Sequence, residues 1–515
     1  MGSPAAHHKR RQAWSRGSAR AALLGALLAW WPLAPARALE EVVVQIPLLD
    51  TGFTLKVGEL SSPEALRNGN SDLAELDRAT DGAVGRQVWE VLQQPVPLTL
   101  TRVVDGSVGS PLVEQAMLVL STLGTVEGQP PDLSGQTLRD ALERASVKGQ
   151  PTLLDLIRAL PGRRLTLNLS QAKELADRML NQRDEAERLL TSLPAVPPPA
   201  VPPSAAGLST TRTLRMTVAH RKQPLELVVV EPKGPANGRL VLISHGLWDD
   251  PRSFEGWAKL LASRGYTVIL PRHPGSDSDQ QQAVLAGKAP PPSPKELGLR
   301  PLDLKAVLDQ AATLGLRNAV DSQRVVVLGH SWGGTTVLQL AGVRPMEQNL
   351  LKRCDSVKDP NRNLSWTLQC SWLNGVSQAG IQDQRVIAVG AVSPPTSLLF
   401  PHGSAAQLSG RVLLVSGSRD WVVPPDPEAI NPMRDARARG NQLVLVNGGD
   451  HFNLRPEGSD DGGVLGPLLL AYTDAAFAAG DGVRPRNGAP PLLQRGQWGN
   501  AELPMVDASR AVGGD

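Results

Sequence analysis

The sequence is poor in several residue types, and each shortage excludes a class of protein. Only 2 of the 515 residues are cysteines, and no Cys/His cluster has the spacing of metal ligands, so neither a metal site nor a cofactor is predicted. Aromatic residues make up 3% of the chain, and no basic patch with interleaved aromatics follows the first forty residues, which argues against nucleic acid as a partner. The apolar run from Ala21 to Trp31 is far shorter than the roughly 20 residues of a membrane span.

Residues 1–38 have the features of a secretory signal peptide. Basic residues precede the apolar run, and Ala36-Arg37-Ala38 offers a cleavage site of small residues. Removing this segment takes away six positive charges and no negative one, so the formal net charge changes from +3 to −3. We therefore expect an exported protein, periplasmic or extracellular, without a stable membrane span after cleavage. Arg10-Arg11 leaves the twin-arginine export route open beside the general one.

After residue 38, the changes in composition and in residue pattern along the chain predict two domains. Residues 39–193 are expected to form a mainly helical domain, and residues 194–207 are a proline-rich linker. Residues 208–479 alternate strand and helix patterns, whereas residues 480–515 resemble a poorly ordered tail. The helical domain is expected to be a small bundle packed on its neighbour; a lid over the catalytic cleft is the alternative.

A few patterns give detail within the N-terminal domain. Val42 to Ile46 is strand-like, and Ser110 is placed to cap a helix that has a proline in its first turn. Ser170 is the expected cap of a long helix that runs to about Leu190.

Eight β-branched or apolar runs predict an eight-stranded sheet in the second domain. The first two should form an antiparallel hairpin and the others should be parallel, because helical patterns separate the later ones. Residues 280–294 are interpreted as a loop near the mouth of the cleft. The predicted strands are Leu214 to Val218, Leu225 to Val230, Leu240 to Ile243, Tyr266 to Leu270, Val325 to Leu328, Val386 to Val389, Val412 to Val415 and Leu443 to Val446.

The most informative motif is Gly329-His330-Ser331-Trp332-Gly333. An apolar strand pattern precedes it and a helical pattern follows it, so the segment is predicted to be a nucleophile elbow. Gly329 and Gly333 would let strand and helix approach closely, and Ser331 would stand at the strand tip as the nucleophile.

A serine nucleophile needs a base and an acid later in this chain. Asp420 follows the predicted strand that comes two after the nucleophile, and is the candidate acid. Only His451 lies beyond it among the eight histidines, so elimination names the base. Asp450 is a competing acid, but its position next to His451 makes the orienting contact awkward.

The oxyanion of an acyl-transfer intermediate needs two backbone donors. The amide of Trp332 is the first candidate, and the amide of Leu247, in the loop after an earlier strand, is the second. His245 precedes the serine in the chain, so it is interpreted as a structural residue that braces this loop.

These motifs resemble a known superfamily. His245-Gly246-Leu247 and the elbow are similar to those of α/β-hydrolase serine esterases, in the group with platelet-activating-factor acetylhydrolases, cutinase-like polyesterases and predicted dienelactone hydrolases. The stretch from Arg272 to Asp277 is also similar to the last of these, although true dienelactone hydrolases use a cysteine nucleophile. The helical segment resembles a domain of unknown function found ahead of such hydrolases in cyanobacteria. The resemblance implies an α/β-hydrolase fold of about eight strands.

Export also bears on Cys354 and Cys370, which both fall in the insertion after the nucleophile helix. A disulfide between them is the favoured interpretation, and two unpaired buried thiols are the alternative.

The predicted function is that of an exported serine hydrolase that cleaves carboxylic esters, including lipid-derived ones, through an acyl-enzyme. Trp248, Trp332, Trp421 and Phe452 lie in site loops and could line an apolar acyl pocket or pack behind the loops. A non-catalytic binding module on a hydrolase scaffold, and an amidase or peptidase with the same triad, are the alternatives.

Overall fold

A computed structural model describes residues 38–512, apart from residues 47–51, 148, 202, 457 and 495. The predicted signal peptide lies outside the described residues except for Ala38. Within this part of the chain, no helix is both long enough and apolar enough to cross a membrane.

The N-terminal part contains a sheet as well as helices. Its strands are β1 (Glu41–Gln45), β2 (Gly52–Lys56), β3 (Gly124–Val126) and β4 (Arg164–Asn168), in the order β2-β1-β4-β3. The pairing of β1 with β4 is parallel and spans more than a hundred residues of sequence, which no local pattern reveals. Only the first of these strands was predicted, so the domain is less purely helical than its sequence indicates.

The described residues of the N-terminal part form nine α-helices. Ser110 caps the fifth by accepting a hydrogen bond from the amide of Val113, as predicted. Asn168, rather than Ser170, caps the eighth, and the helix expected to reach Leu190 is two helices. The helices are α1 (Pro63–Arg67), α2 (Asp72–Ala79), α3 (Ala83–Leu92), α4 (Leu98–Ser107), α5 (Pro111–Leu123), α6 (Gln136–Ser146), α7 (Leu153–Ala159), α8 (Leu169–Asn181) and α9 (Asp184–Ser192).

Helix α9 packs with the second domain. Ala186 and Leu189 are buried in the same hydrophobic cluster as the strands of the large sheet. The side chain of Asp426 accepts hydrogen bonds from the amides of Glu185 and Ala186, both at 2.9 Å. A carboxylate at a helix N-terminus satisfies unpaired amides and offsets the positive end of the helix dipole. Helix α9, at the end of the predicted N-terminal domain, therefore packs into the core of the large sheet.

A mostly parallel sheet of nine strands forms the second domain, which confirms the predicted α/β class. Its order is β13-β12-β11-β10-β9-β7-β8-β6-β5. The six neighbouring strands β12, β11, β10, β9, β7 and β8 are parallel to one another. The predicted antiparallel hairpin is β5 with β6. The strands are β5 (Ser209–Met216), β6 (Leu225–Pro232), β7 (Arg239–Ser244), β8 (Thr267–Pro271), β9 (Asp321–His330), β10 (Val386–Val392), β11 (Arg411–Gly417), β12 (Gln442–Val446) and β13 (Met505–Asp507).

Helices cover both faces of this sheet, and each face has its own buried apolar cluster. The central strands are buried on both sides, which explains their continuous valine- and leucine-rich runs. The helices are α10 (Glu255–Ala262), α11 (Ser278–Leu285), α12 (Glu296–Gln310), α13 (Trp332–Leu340), α14 (Glu347–Arg353), α15 (Ser365–Ser371), α16 (Asn431–Ala436) and α17 (Gly466–Ala478).

Two segments differ from their predicted loop character. Residues 280–294 were expected to be a loop, but helix α11 begins before them because the Asp277 side chain accepts from the amide of Gln280 at 3.0 Å. The C-terminal segment, predicted to be poorly ordered from residue 480, contains β13 and buries Trp498, Met505 and Val512. Its few apolar side chains are spaced far apart, so composition alone does not indicate that they reach the core.

The proline-rich linker is extended and lies against that C-terminal segment. The amide of Val196 donates to the carbonyl of Met505 at 2.7 Å, and the amide of Gly499 donates to the carbonyl of Pro197 at 3.0 Å. Ala205, near the end of the linker, is buried in the large domain.

The N-terminal helices α4 and α5 pack on α11 and α15, two helices of the second domain. At Gly287 a Cβ atom would lie 2.5 Å from Cβ of Arg102, so only glycine allows this close approach. The Cys354–Cys370 disulfide is present, which confirms the predicted pairing and ties α15 to the end of α14.

Candidate active site

The carboxyl ends of the parallel strands bring the predicted site residues to one edge of the sheet. Ser331 follows β9, the loop with Leu247 follows β7, Asp420 follows β11 and His451 follows β12. These four strands lie in the central part of the sheet, where such edges form clefts in α/β folds.

Ser331 occupies a strained turn between β9 and α13. Its φ of 54° and ψ of −125° are unusual for a residue with a side chain. A Cβ on Gly329 would lie 2.3 Å from the carbonyl oxygen of Gly333, and a Cβ on Gly333 would lie 2.0 Å from that of Ser244. Both glycines are therefore required for the sharp passage from strand to helix.

His451 and Asp420 are in direct contact. Nδ1 of His451 lies 2.9 Å from Oδ2 of Asp420, and both side chains are buried. The other carboxylate oxygen of Asp420 accepts from the amides of Val422 and Val423 at 3.0 and 2.7 Å. Since a carboxylate accepts, Nδ1 carries the proton, and Nε2 of His451 is left with a free lone pair.

Two further contacts hold the serine and histidine loops together. Nε2 of His330, the neighbour of Ser331, lies 2.8 Å from the carbonyl oxygen of His451, and the two rings are 4.8 Å apart. A Cβ on Gly417 would lie 2.3 Å from the carbonyl oxygen of Gly449, so the acid and base loops also touch through their backbones.

Asp450 is not placed to orient His451 through Nδ1, since that nitrogen faces Asp420. Oδ1 of Asp450 instead accepts from the amides of Phe452 and Asn453, both at 2.8 Å, and stabilises the turn.

The loop after β7 passes directly beside the serine. A Cβ on Gly246 would lie 3.3 Å from Cβ of Ser331. Among the hydrogen bonds of the described residues, the amides of Leu247 and Trp332 donate none. Trp332 is the first residue of α13, where a helix has no internal acceptor for an amide.

The direction of the Leu247 amide follows from its own peptide unit. The carbonyl oxygen of Gly246 accepts from Nδ1 of His245 at 2.8 Å and lies 3.5 Å from Nη1 of Arg300. In a trans peptide the N–H points opposite to the carbonyl, so the Leu247 amide points away from these buried side chains. The next amide, of Trp248, donates to Ser276 at 2.7 Å.

Arg300 is fully buried beneath this loop, and sequence reasoning did not identify it. Its guanidinium donates to the carbonyl of His245 and to Oγ of Ser276, and lies 4.7 Å over the ring of Trp332. Burial lowers the pKa of Arg300 to about 9. It thus contacts both segments that supply the two candidate oxyanion donors.

His273 and Asp303 form a buried pair that also supports the loop after β7. His273 contacts Oγ of Ser244 through Nε2 and Asp303 through Nδ1, both at 2.9 Å, and its amide donates to His245. Arg221 pairs with Asp303 at 2.6 Å. Burial opposes ionisation of Asp303, yet hydrogen bonds from His220, His273 and Arg221 outweigh it and hold its pKa well below the usual range. His245 therefore sits within a braced network.

The four aromatic candidates divide into two groups. Trp332 is buried against Trp372, with ring centroids 4.9 Å apart, and Trp248 is half-buried and donates to Gln280. Trp421 and Phe452 are 49% and 51% exposed, although each is adjacent in sequence to a site residue. They are the two most exposed of the four aromatic candidates.

Three buried histidines of this region predict that acid destabilises the protein. Burial lowers the pKa of His245 and His330 well below the ordinary value of 6.5, and that of His273 to about 4. As the pH falls below 6.5, the unfolded chain takes up protons that the folded chain does not. The free energy of unfolding should therefore fall with pH, approaching about 1.4 kcal/mol per pH unit for each histidine. Urea unfolding at about pH 7, 6 and 5 measures this slope; a constant stability across that window would contradict it.

Two family models match the chain. Residues 239–357 match the model described as alpha/beta hydrolase fold, and residues 38–168 match the one described as alpha/beta hydrolase of unknown function (DUF1400). No curated protein matches the chain. Neither match supports a place in the acetylhydrolase or dienelactone hydrolase groups in particular. Together with the nine-stranded sheet, they establish that this chain has the α/β-hydrolase fold.

Proposed function

We propose that the protein is an exported serine hydrolase that cleaves carboxylic esters through an acyl-enzyme. Ser331 is the nucleophile, His451 the general base and acid, and Asp420 the residue that orients the histidine. The observation that carries this proposal is the buried contact of 2.9 Å between His451 Nδ1 and Asp420 Oδ2, beside the strained serine turn. Fixing that tautomer leaves Nε2 able to accept a proton.

In the acylation half of the reaction, Oγ of Ser331 attacks the ester carbonyl carbon while Nε2 of His451 takes its proton. The negative charge that develops on the carbonyl oxygen is stabilised by the amides of Leu247 and Trp332. The carbon–oxygen bond to the alcohol then breaks, and His451 returns the proton to the leaving oxygen.

In the deacylation half, water replaces the alcohol. His451 removes a proton from water, the hydroxide oxygen attacks the acyl carbon, and the Ser331 oxygen leaves with the proton from His451. Asp420 stabilises the imidazolium in both halves and does not itself change protonation.

An apolar acyl group is favoured by the surroundings. Trp421 and Phe452, which follow the acid and the base in the sequence, have exposed rings, and Phe452 lies edge-on to His451 with ring centroids 5.5 Å apart. Exposed aromatics beside a site offer apolar contact area at low entropic cost. They support lipid-derived esters as substrates, in line with the resemblance to acetylhydrolases.

Export is supported by two independent features. The leader at residues 1–38 has the pattern of a signal peptide, and the Cys354–Cys370 disulfide is typical of oxidising compartments.

Labelling by a fluorophosphonate tests the catalytic proposal directly. Such a probe phosphonylates only an activated serine, so we expect one label per chain on the peptide that contains Ser331, mapped by mass spectrometry. His451→Ala should prevent labelling because the proton acceptor is gone. Failure to label the folded protein would instead favour a binding module on a hydrolase scaffold.

A further inference from the structure

A cavity of about 560 Å³ lies between the N-terminal part and the insertion that carries the disulfide. Helices α5 and α8 form one side, and residues 357–367 form the other. The volume is within the roughly 300–1,000 Å³ of small-molecule sites. Ser331, Asp420 and His451 are not among its lining residues, so it is a second candidate site.

The walls of this interdomain cavity are mainly apolar. Val119 and Leu120 of α5 face Leu175 and Met179 of α8, and Leu364 comes from the insertion. Leu120 and Leu364 are 54% and 42% exposed, which is unusual for leucines at the junction of two domains. An apolar chain seated between the helices would remove this surface from water.

The charged side chains that line the cavity are all positive. Arg178, Lys358 and Arg362 line it, and none of the described residues that line it is acidic. Arg178 lies 3.3 Å from Glu174 on its own helix, whereas no described carboxylate lies within ion-pair distance of Lys358 or Arg362. The cavity thus combines apolar walls with lining charges that are all positive.

Arg362 is the strongest indication of an anionic ligand. It is 3% exposed, and its Nη atoms donate to the carbonyl of Cys354 and to Oε1 of Gln115, but Nε has no acceptor among the described atoms. Burial lowers the pKa of this guanidinium. Asp359 and Asp355 act on Arg362 electrostatically but form no direct ion pair with it. Burial of a cation without such a pair is costly, and an anion bound beside the guanidinium would offset that cost.

We propose that this interdomain cavity binds a single-chain anionic amphiphile, of which a fatty carboxylate is the simplest. The hydrocarbon chain lies along the leucine and methionine walls, and the carboxylate lies toward Arg362 and Lys358. A sugar or a peptide would leave its polar groups against apolar walls, and a cationic amphiphile would meet charges of its own sign.

The occupant would contact helix α15, another side of which packs against Trp332, the residue after the proposed nucleophile. Thr367 of α15 lines the cavity, whereas Trp366 and Cys370 of the same helix are buried in one cluster with Trp332. The proposal does not depend on esterase activity, since it concerns binding alone. Failure of the fluorophosphonate label would therefore leave it standing.

Calorimetric titration of the mature chain with laurate and with dodecyltrimethylammonium, both below their micelle concentrations, tests this site. We expect one laurate per chain, and at least tenfold weaker binding of the cation. Lengthening the carboxylate should tighten Kd by about fourfold per methylene until the cavity is full.

Matched variants locate the binding. Leu175→Glu puts a negative charge in the cavity wall and should weaken laurate binding at least tenfold. Leu180→Glu makes the same change at an exposed position of the same helix outside the cavity, and should leave Kd within twofold. Lys358→Glu, at an exposed position, should weaken laurate binding without affecting folding.

Three results would overturn the proposal: no laurate binding, equal affinity for the cationic amphiphile, or laurate binding that all three variants retain. The last result would place the ligand elsewhere, including the catalytic cleft. If Leu175→Glu does not fold, as judged by circular dichroism, Lys358→Glu decides alone.

Discussion

Replacing Ser331 by alanine should reduce kcat for short p-nitrophenyl esters by about 10⁶-fold, close to the uncatalysed rate, because the proposed acyl-enzyme on Ser331 can no longer form. The folded state should persist, since the hydroxyl donates no hydrogen bond on which the described structure depends. Steady-state hydrolysis of p-nitrophenyl acetate and butyrate, together with the thermal midpoint, measures both effects.

Ser331→Gly is the matched control for backbone strain. It should be equally inactive, but more stable than the alanine variant by about 1 kcal/mol, because glycine adopts a φ of 54° without steric cost. Turnover by either variant above a hundredth of the wild-type rate would show that another residue is the nucleophile.

Asp420→Asn should lower kcat by about 10⁴-fold while the fold is kept. An asparagine amide in place of Oδ2 would donate to Nδ1 of His451, which moves the ring proton to Nε2 and removes the lone pair that is proposed to accept the serine proton. The buried oxygen that accepts from Val422 and Val423 would be retained, so the loop should stay in place. Hydrolysis assays and circular dichroism measure the two effects separately.

Asp450→Asn is the matched control, which tests whether the loss of activity is specific to Asp420. Its side-chain oxygen can still accept from Phe452 and Asn453, so we expect activity within about threefold of wild type. Equal losses in the two variants, or a larger loss at Asp450, would overturn the assignment of the acid.

The sheet and the placement of the site residues could be predicted because their signals are local. Val325 to Leu328 is a continuous apolar run followed by a turn that requires two glycines, and this pattern has few structural solutions. The chain order of serine, acid and histidine restricted the candidates to Asp420 and His451. The structure brings these two within 2.9 Å, although 31 residues separate them.

Features that depend on distant partners could not be predicted. Strand β4 is recognisable only from its pairing with β1, and β13 only from its pairing with β12. Arg300 and Asp303 are three residues apart on a helix, which in sequence is typical of a solvated face. Their burial arises because loops after β7 and β8 fold over them and supply hydrogen-bond partners.

The position of α9 limits how this protein can be divided. Ala186 and Leu189 fill space beneath the large sheet, and Asp426 satisfies the first amides of the helix. A chain shortened to begin at residue 208 would open a void under the strands and leave that aspartate without its donors. We therefore expect a chain that begins at residue 208 to be less stable than one that keeps α9.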